Sequence, residues 1–312
     1  MQRLITIIGP TATGKTSLAT RIAAKIDGEI ISADSRQIYR GMDLGTGKDL
    51  DEYAVDGKQI PYHLIDIRPA GYKYNLYEYQ RDFIEAYNDI VSRGKTPILC
   101  GGTGLYVEAV LKGYRLIEVP VDGALRTSLE GKTLGELSAI LDTYPDYRRH
   151  NTTDVDTVKR AIRSIEIADY YARHPETSGT DYPQFEPLIL MVDISRDTRR
   201  QRITSRLKAR IDSGMVDEVK RLIDSGVSPD DLIYYGLEYK FLTEYVTGKT
   251  DYDTMLSGLE TAIHRFAKRQ MTWFRGMERR GYTLHYIDGE KDIDHRVRQS
   301  LDIISSTKTK TD

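Results

Sequence analysis

The sequence predicts an α/β fold, a parallel sheet covered by helices and interrupted by a mainly helical insertion. Two observations carry the core: short apolar, β-rich runs alternate with amphipathic helical patterns, and a glycine loop joins the first run to the first helix. A third carries the insertion: the pattern breaks near residue 119 and resumes with a buried-strand run at 187.

Taken in order, residues 3–8 (RLITII) read as a short strand, GPTATGKT (9–16) as a loop, and the stretch after Lys15 as a helix ending near Gly28. EIISAD (29–34), YHLIDI (62–67) and TPILC (96–100) read as further strands. Between the last two, Leu76, Tyr79, Phe83, Ile84, Tyr87, Ile90 and Val91 recur on one helical face. From about Val119 to 186 come a Val-Asp-Gly segment, polar helices, and a tract from Arg173 to Pro187 rich in Pro, Gly, Thr and Ser. PLILMVDI (187–194) then reads as a buried strand, followed only by helices until YTLHYID near residue 285, and the tail SSTKTKTD reads as disordered. The expected division is a core of residues 1–118 and 187–312 with an insertion over 119–186.

The chain of 312 residues is long enough for a core with a large insertion. No run approaches the roughly 20 apolar residues of a membrane span, and no charged-then-apolar leader precedes the first strand, so a cytoplasmic protein with no membrane partner is expected. Cys100 is the only cysteine, which excludes an internal disulfide or a cysteine metal cluster. Six histidines show no ligand spacing. The net charge of −2 argues against nucleic acid on its face, yet charge is segregated. Seven bases stand between Arg196 and Arg210 against Asp197 alone, and Arg265, Lys268, Arg269, Arg275, Arg279 and Arg280 face only Glu278.

Gly9, Pro10, Thr11, Ala12, Thr13, Gly14, Lys15 and Thr16 fit GxxxxGK[ST] in full, after a strand and before a helix, which makes the core P-loop NTPase-like. Such a loop turns backbone N–H groups inward around phosphate oxygens, and the helix N-terminus adds partial positive charge. Lys15 supplies a point charge and Thr16 a ligand for magnesium (Mg2+). The loop specifies a polyphosphate without saying which.

Three further segments stand in order: DSRQIYRGMDLGTGK (34–48), GGTGLY (101–106) and AKRQMTWFR (267–275). Together with PYHLIDI and the stretch from Arg206 to Val219, they resemble the bacterial tRNA dimethylallyltransferases, relatives of the plant adenylate isopentenyltransferases. The resemblance runs nearly end to end. It implies transfer of a dimethylallyl group from dimethylallyl diphosphate to an adenine beside the tRNA anticodon, with the insertion gripping the anticodon stem-loop and the enzyme acting as a monomer.

Allyl transfer breaks a C–O bond and releases diphosphate, so charge on the leaving group must be stabilised beside a nucleophile. The loop suits the first task, and the resemblance adds Arg210 as a residue that closes over the diphosphate; one solvated base among seven is the alternative. The weakly nucleophilic amine must lose its proton. Asp34 is the base by the resemblance and by its place at a strand's C-terminal end, where open α/β sheets bind ligands. A turn cap or a magnesium-water ligand is the alternative. Thr103 resembles the threonine beside both substrates, or else serves as a turn residue or helix cap.

Extraction of the base from its stack is required, and by resemblance Ser35, Arg36 and Gln37 contact the target nucleotide, Gln37 being able to pair bidentately with adenine. Lys159, Arg160 and Arg163 match the helix that touches the anticodon loop, and Arg126 a second contact. The sequence departs from the family in RSIEI for RALEV, in LEYK (237–240) for GYKE, and in lacking the usual Asn-Asp pair before Lys159.

Two other classes compete. A small-molecule P-loop kinase would use the arginine-rich helix as a phosphoryl clamp but leaves GGTGLY and AKRQMTWFR without a role. A non-catalytic RNA-binding protein leaves the loop and Asp34 unexplained, and a relative acting on free AMP or ADP would have no use for the long insertion.

Overall fold

The computed structural model describes residues 2–114, 116–144, 155–174 and 182–307. The tail from 308 and residues 175–181 of the Pro/Gly tract lie outside these residues. Two compact units emerge, one of 1–113 with 183–312 and one of 114–182.

The first unit is built on six parallel strands: β1 (Gln2–Ile8), β2 (Gly28–Ser32), β3 (Tyr62–His63), β4 (Thr96–Gly101), β5 (Phe185–Asp193) and β6 (Leu284–Asp288). Their order is β6-β5-β1-β4-β2-β3. β1 is central, Ile5 lying opposite Ile98 on one side and Leu188 on the other. Both its faces are covered, which is why it reads as an unbroken apolar run instead of an alternation; Leu4, Ile7 and Ile8 are fully buried. β5 starts at Phe185, two residues before the expected strand, because Phe185 and Glu186 pair with Gln2 and Arg3.

Helices α1 (Lys15–Ile26), α2 (Leu76–Ser92) and α3 (Gly104–Lys112) connect the early strands. α2 opens with a capping box in which Asn75 and Glu78 satisfy each other's backbone N–H. It buries Tyr79, Phe83, Tyr87 and Ile90, while Val91, expected on the same face, is 40% exposed. Tyr79 stacks on Tyr106 of α3 with ring centroids 3.9 Å apart, so these tyrosines are core.

YHLIDI is not the six-residue strand its apolar pattern predicts. Only Tyr62 and His63 pair with β2; Leu64 (φ 62°) and Asp66 (φ 57°) then take left-handed backbone. The chain leaves the sheet there to serve a loop of the site: the Asp66 N–H donates to Gln37 O, and its carboxylate pairs with Lys48. At the β2 edge, buried Glu29 accepts from Arg93 and from His63 (2.7 Å), tying β2 to β3 and to the turn after α2.

After β5 come α7 (Arg196–Asp212), α8 (Met215–Asp224), α9 (Pro229–Tyr234), α10 (Leu237–Val246), α11 (Tyr252–Arg279) and, past β6, α12 (Ile293–Ser306). α11 turns Met255, Leu259, Ala267, Met271 and Phe274 inward and leaves Arg265, Lys268, Arg269, Arg275 and Arg279 exposed.

The second unit runs Tyr114–Tyr182, a few residues ahead of both expected boundaries. It holds α4 (Gly123–Leu129), α5 (Leu134–Leu141) and α6 (Val158–Arg173) around a small core of Leu129, Leu137, Leu141, Ala161, Ile165 and Ala168.

Candidate active site

The C-terminal ends of β1, β4 and β2, neighbours in the sheet, deliver three turns to one edge, each carrying part of the site. The β1 turn is the phosphate loop. Gly9 is required by close approach, since a Cβ there would stand 2.6 Å from Val192 O. Ala12 (φ 65°) and Gly14 (φ 80°) bend the loop through left-handed backbone, and the buried Thr13 hydroxyl pins it by donating to Pro10 O at 2.9 Å. Lys15 and Thr16 then open α1, half-buried.

Asp34 heads the β2 turn. One carboxylate oxygen accepts from the Arg36 N–H at 3.0 Å, and Asp34 O accepts from the Gln37 N–H. Asp34 thus caps its own turn with one oxygen, while the other has no hydrogen-bond partner among the described residues. Thr103, from the β4 turn, occupies the N-cap position of α3 but makes no capping bond. Its hydroxyl instead accepts from the Ser35 N–H at 3.1 Å, which brings Thr103 and the Asp34 turn together.

Arg36 donates to Tyr234 O at 3.4 Å. Gln37 has both ends of its amide occupied: Oε1 accepts from Ser32 Oγ at 2.9 Å, and Nε2 donates to Gly47 O at 3.3 Å. The bidentate adenine pairing expected of Gln37 is left the second lone pair of Oε1 and the second N–H of Nε2.

Arg210, expected as a lone clamp, acts with a neighbour that sequence reading passed over. Arg206 and Arg210 lie one helical turn apart on α7 and both pair with Asp49, at 2.9 Å each. Burial works against Asp49's charge, but the two guanidinium groups overcome it and hold its carboxyl below the usual range. Burial, reinforced by Asp49, pushes Glu52 up. Beside the loop lies a pocket walled by Thr11, Ala12, Arg206, Arg210 and Glu238, with Ile203, Leu207, Met215 and Ile263 as apolar surface. The buried Arg206 Nε has no hydrogen-bond partner among the described residues.

MDLGTGK is a structural knot in support of these groups. Buried Glu218 of α8 accepts from the N–H groups of Asp43, Leu44 and Gly45 and from Tyr239 OH, the longest of the four at 3.0 Å. Lys48, 1% exposed, donates to Tyr39 O and pairs with Asp43 and Asp66. Glu218 and Lys48 are each buried with their partners in place, the condition under which burial is tolerated.

Sequence reading also missed Gln270. Within AKRQMTWFR it is the buried polar residue that reaches the site: Oε1 accepts from the Thr11 N–H and Nε2 donates to Gly102 O, both at 2.9 Å. Trp273 packs. A Cβ on Gly104 would meet its indole at 2.2 Å, and Arg280 lies over the ring. Cys100 is buried behind the loop, its thiol pushed up to about 12 by burial, which removes it from nucleophilic chemistry.

In the second unit, Arg126 holds fully buried Glu166 with two bonds of 2.8 and 2.9 Å. Arg163 donates to the same carboxylate at 3.0 Å and to Val119 O at 2.7 Å. Both bases therefore build the unit. Arg160 pairs with Asp156 at the surface, and Lys159 is exposed with no ion pair among the described residues.

A magnesium ion fits what the loop offers. Thr16 stands at the start of α1 with a hydroxyl that no described residue engages, an oxygen donor of the hard type magnesium prefers. No cluster of three His, Cys, Asp or Glu side chains among the described residues could hold a metal, so a magnesium ion at Thr16 would draw its other ligands from substrate oxygens and water. No described helix is long and apolar enough to cross a membrane.

The sequence profile of IPP transferases matches residues 37–277, and that of isopentenyl transferases residues 2–61. The chain is 62% identical over 294 residues to tRNA dimethylallyltransferase 2 of Bacteroides fragilis, covering 94% of this chain and 95% of the relative. It is 63% identical over 285 residues to tRNA dimethylallyltransferase 1 of Porphyromonas gingivalis, covering 91% and 93%. Among solved structures, the full-length tRNA isopentenylpyrophosphate transferase of Bacillus halodurans superposes with a TM-score of 0.69 at 30% identity, over 98% of this chain and 96% of that one. A eukaryotic dimethylallyltransferase acting on tRNA shares the fold, with a TM-score of 0.78 at 22% identity over 100% and 82%.

Proposed function

Because the chain belongs to the IPP transferase family, we propose that it moves a dimethylallyl group from dimethylallyl diphosphate to the exocyclic N6 amine of an adenosine next to a tRNA anticodon. The observation that carries this reading is the convergence of three turns on one sheet edge. They bring a complete phosphate loop, the open carboxylate oxygen of Asp34, and Thr103 bonded to the Asp34 turn.

The diphosphate sits against Lys15 and the loop amides other than that of Thr11, which Gln270 engages, with Arg206 and Arg210 on its other side, and the prenyl group meets Ile203, Leu207, Met215 and Ile263. Arg206 and Arg210 exchange Asp49 for phosphate oxygens as the donor enters. Thr16 would hold a magnesium ion, which when bound would neutralise charge on the leaving group. As the C–O bond of the donor breaks, the adenine nitrogen forms the new C–N bond and its proton passes to the free oxygen of Asp34. Thr103, through the Ser35 N–H, keeps that turn in place. The extracted nucleotide lies against the Ser35–Gln37 turn, and the second unit grips the anticodon stem-loop through Lys159 and Arg160.

The test incubates the protein with labelled dimethylallyl diphosphate, magnesium and either bulk tRNA or AMP. Label in tRNA with release of diphosphate is expected. Label in AMP alone would replace this reading with the free-nucleotide one, and release of ADP from ATP would favour a kinase.

A further inference from the structure

Beyond the last paired residues of β1 and β4, Ile8 and Gly101, nothing in the sheet ladder holds the two turns in register. Yet these turns carry the two halves of the reaction, the donor loop and the turn bearing Thr103. Gln270 bridges that gap. It is only 8% exposed on the inner face of α11, among Ala267, Met271 and Phe274. A side-chain amide presents one acceptor and one donor in a plane, as a peptide group does. Gln270 uses them as a ladder residue would, accepting from the Thr11 N–H and donating to Gly102 O. Gly102 is shaped for this: a Cβ there would stand 2.7 Å from Gln270 Nε2 and 3.6 Å from Lys15 Cε.

We propose that Gln270 is a positioning residue that extends the β1–β4 hydrogen bonding past the strand ends and fixes the separation between the donor carbon and the acceptor nitrogen. This rests on the prenyl-transfer reading. In that reading Gln270 acts through Thr11 and Gly102 and not on a substrate. Its effect comes from the sensitivity of displacement to alignment, where a displacement of about 1 Å costs on the order of 10²-fold in rate.

Two variants separate the strut from a plain packing role. Gln270→Met fills the volume without either bond. Gln270→Glu keeps the acceptor for Thr11 but sets a carboxylate oxygen against Gly102 O; once protonated, it regains a donor. For each, the thermal midpoint, the Kd for inorganic diphosphate, the Kd for tRNA and the single-turnover rate at saturation are measured against wild type. The expected result is a rate about 10²-fold lower with both Kd values within about threefold and a folded protein. The Gln270→Glu rate, taken relative to wild type at the same pH, should recover as pH falls. Gly102→Ala, which displaces Gln270 without altering it, should reproduce the rate loss and serves if Gln270→Met does not fold. Rates within a few-fold of wild type, rate losses matched by equal losses of ligand affinity, or no relative recovery at low pH each overturn the proposal. If wild type labels no tRNA, the prenyl-transfer reading falls and the strut with it; variants that fail beside an active wild type concern the strut alone.

Discussion

Asp34 caps its turn with one oxygen and in the proposed mechanism takes the proton on the other, which makes its chemistry separable from its structural role. Asn at this position keeps the oxygen that accepts from the Arg36 N–H but cannot take a proton. Asp34→Asn is therefore expected to lower the transfer rate at least ~10²-fold, with the thermal midpoint nearly unchanged; a rate within a few-fold of wild type in single-turnover assays would remove Asp34 from the role of base. Lys15 differs in that the proposed mechanism gives it a purely electrostatic task. Lys15→Ala should abolish turnover and weaken diphosphate binding while tRNA affinity, measured by filter binding, stays close to wild type. Equal loss of both affinities would show that donor and RNA sites are not separate.

At the scale of elements, the β2 edge depends on one ion-paired side chain. Hydrogen bonding from Arg93 foremost, and then from His63, outweighs burial and holds the Glu29 carboxyl down at about 2, against an ordinary value of 4.5. The folded state thus favours the ionised form. Its contribution is complete above about pH 4.5 and fades as pH falls toward 2. Arg93 is partly exposed, so Glu29→Gln is expected to cost about 1–2 kcal/mol at pH 7. The gap from wild type in urea unfolding should narrow at pH 3; a gap independent of pH would mean packing, not charge, was lost. The same edge shows what a local pattern cannot reveal. β1, β2, β4 and β5 are legible because strands buried on both faces must be apolar throughout, whereas YHLIDI carries that pattern and still departs from the sheet at Leu64. Leu64 and Ile65 stay buried after the departure, Ile65 within the core cluster beside Ile5 and Leu18, a tertiary fact without local signature. The phosphate loop and Asp34 are legible for the converse reason, that contiguous residues make them. Gln270 meets Thr11, and Arg206 meets Asp49, across more than half the chain, and no spacing rule spans that distance.

For the whole molecule, a net charge of −2 says little about RNA, because what matters is which bases remain unneutralised. Arg126 and Arg163 are committed to buried Glu166, and removing them would unfold the second unit before testing any RNA contact. Lys159 and Arg160 are the sound probes, since an exposed pair such as Arg160–Asp156 is easily exchanged for a phosphate. Replacing both by Ala should weaken tRNA binding and flatten its dependence on log salt by about one to two units of slope, leaving donor affinity unchanged. An unaltered slope would point to a small-molecule acceptor.

The central position of β1 also governs how the chain can reach its native state. Ile5 must find Ile98 on one side and Leu188 on the other, and the second contact closes a loop containing the entire second unit. High contact order of this kind slows folding, because closure entropy is lost before the pairing offsets it. During synthesis β1 waits with a bare, apolar edge until residue 193 has left the ribosome, and an open edge is a template for pairing with other chains. A fragment ending at residue 182 should therefore show no cooperative urea transition for its sheet and should aggregate, whereas the full chain refolds in a slow phase whose yield falls as concentration rises.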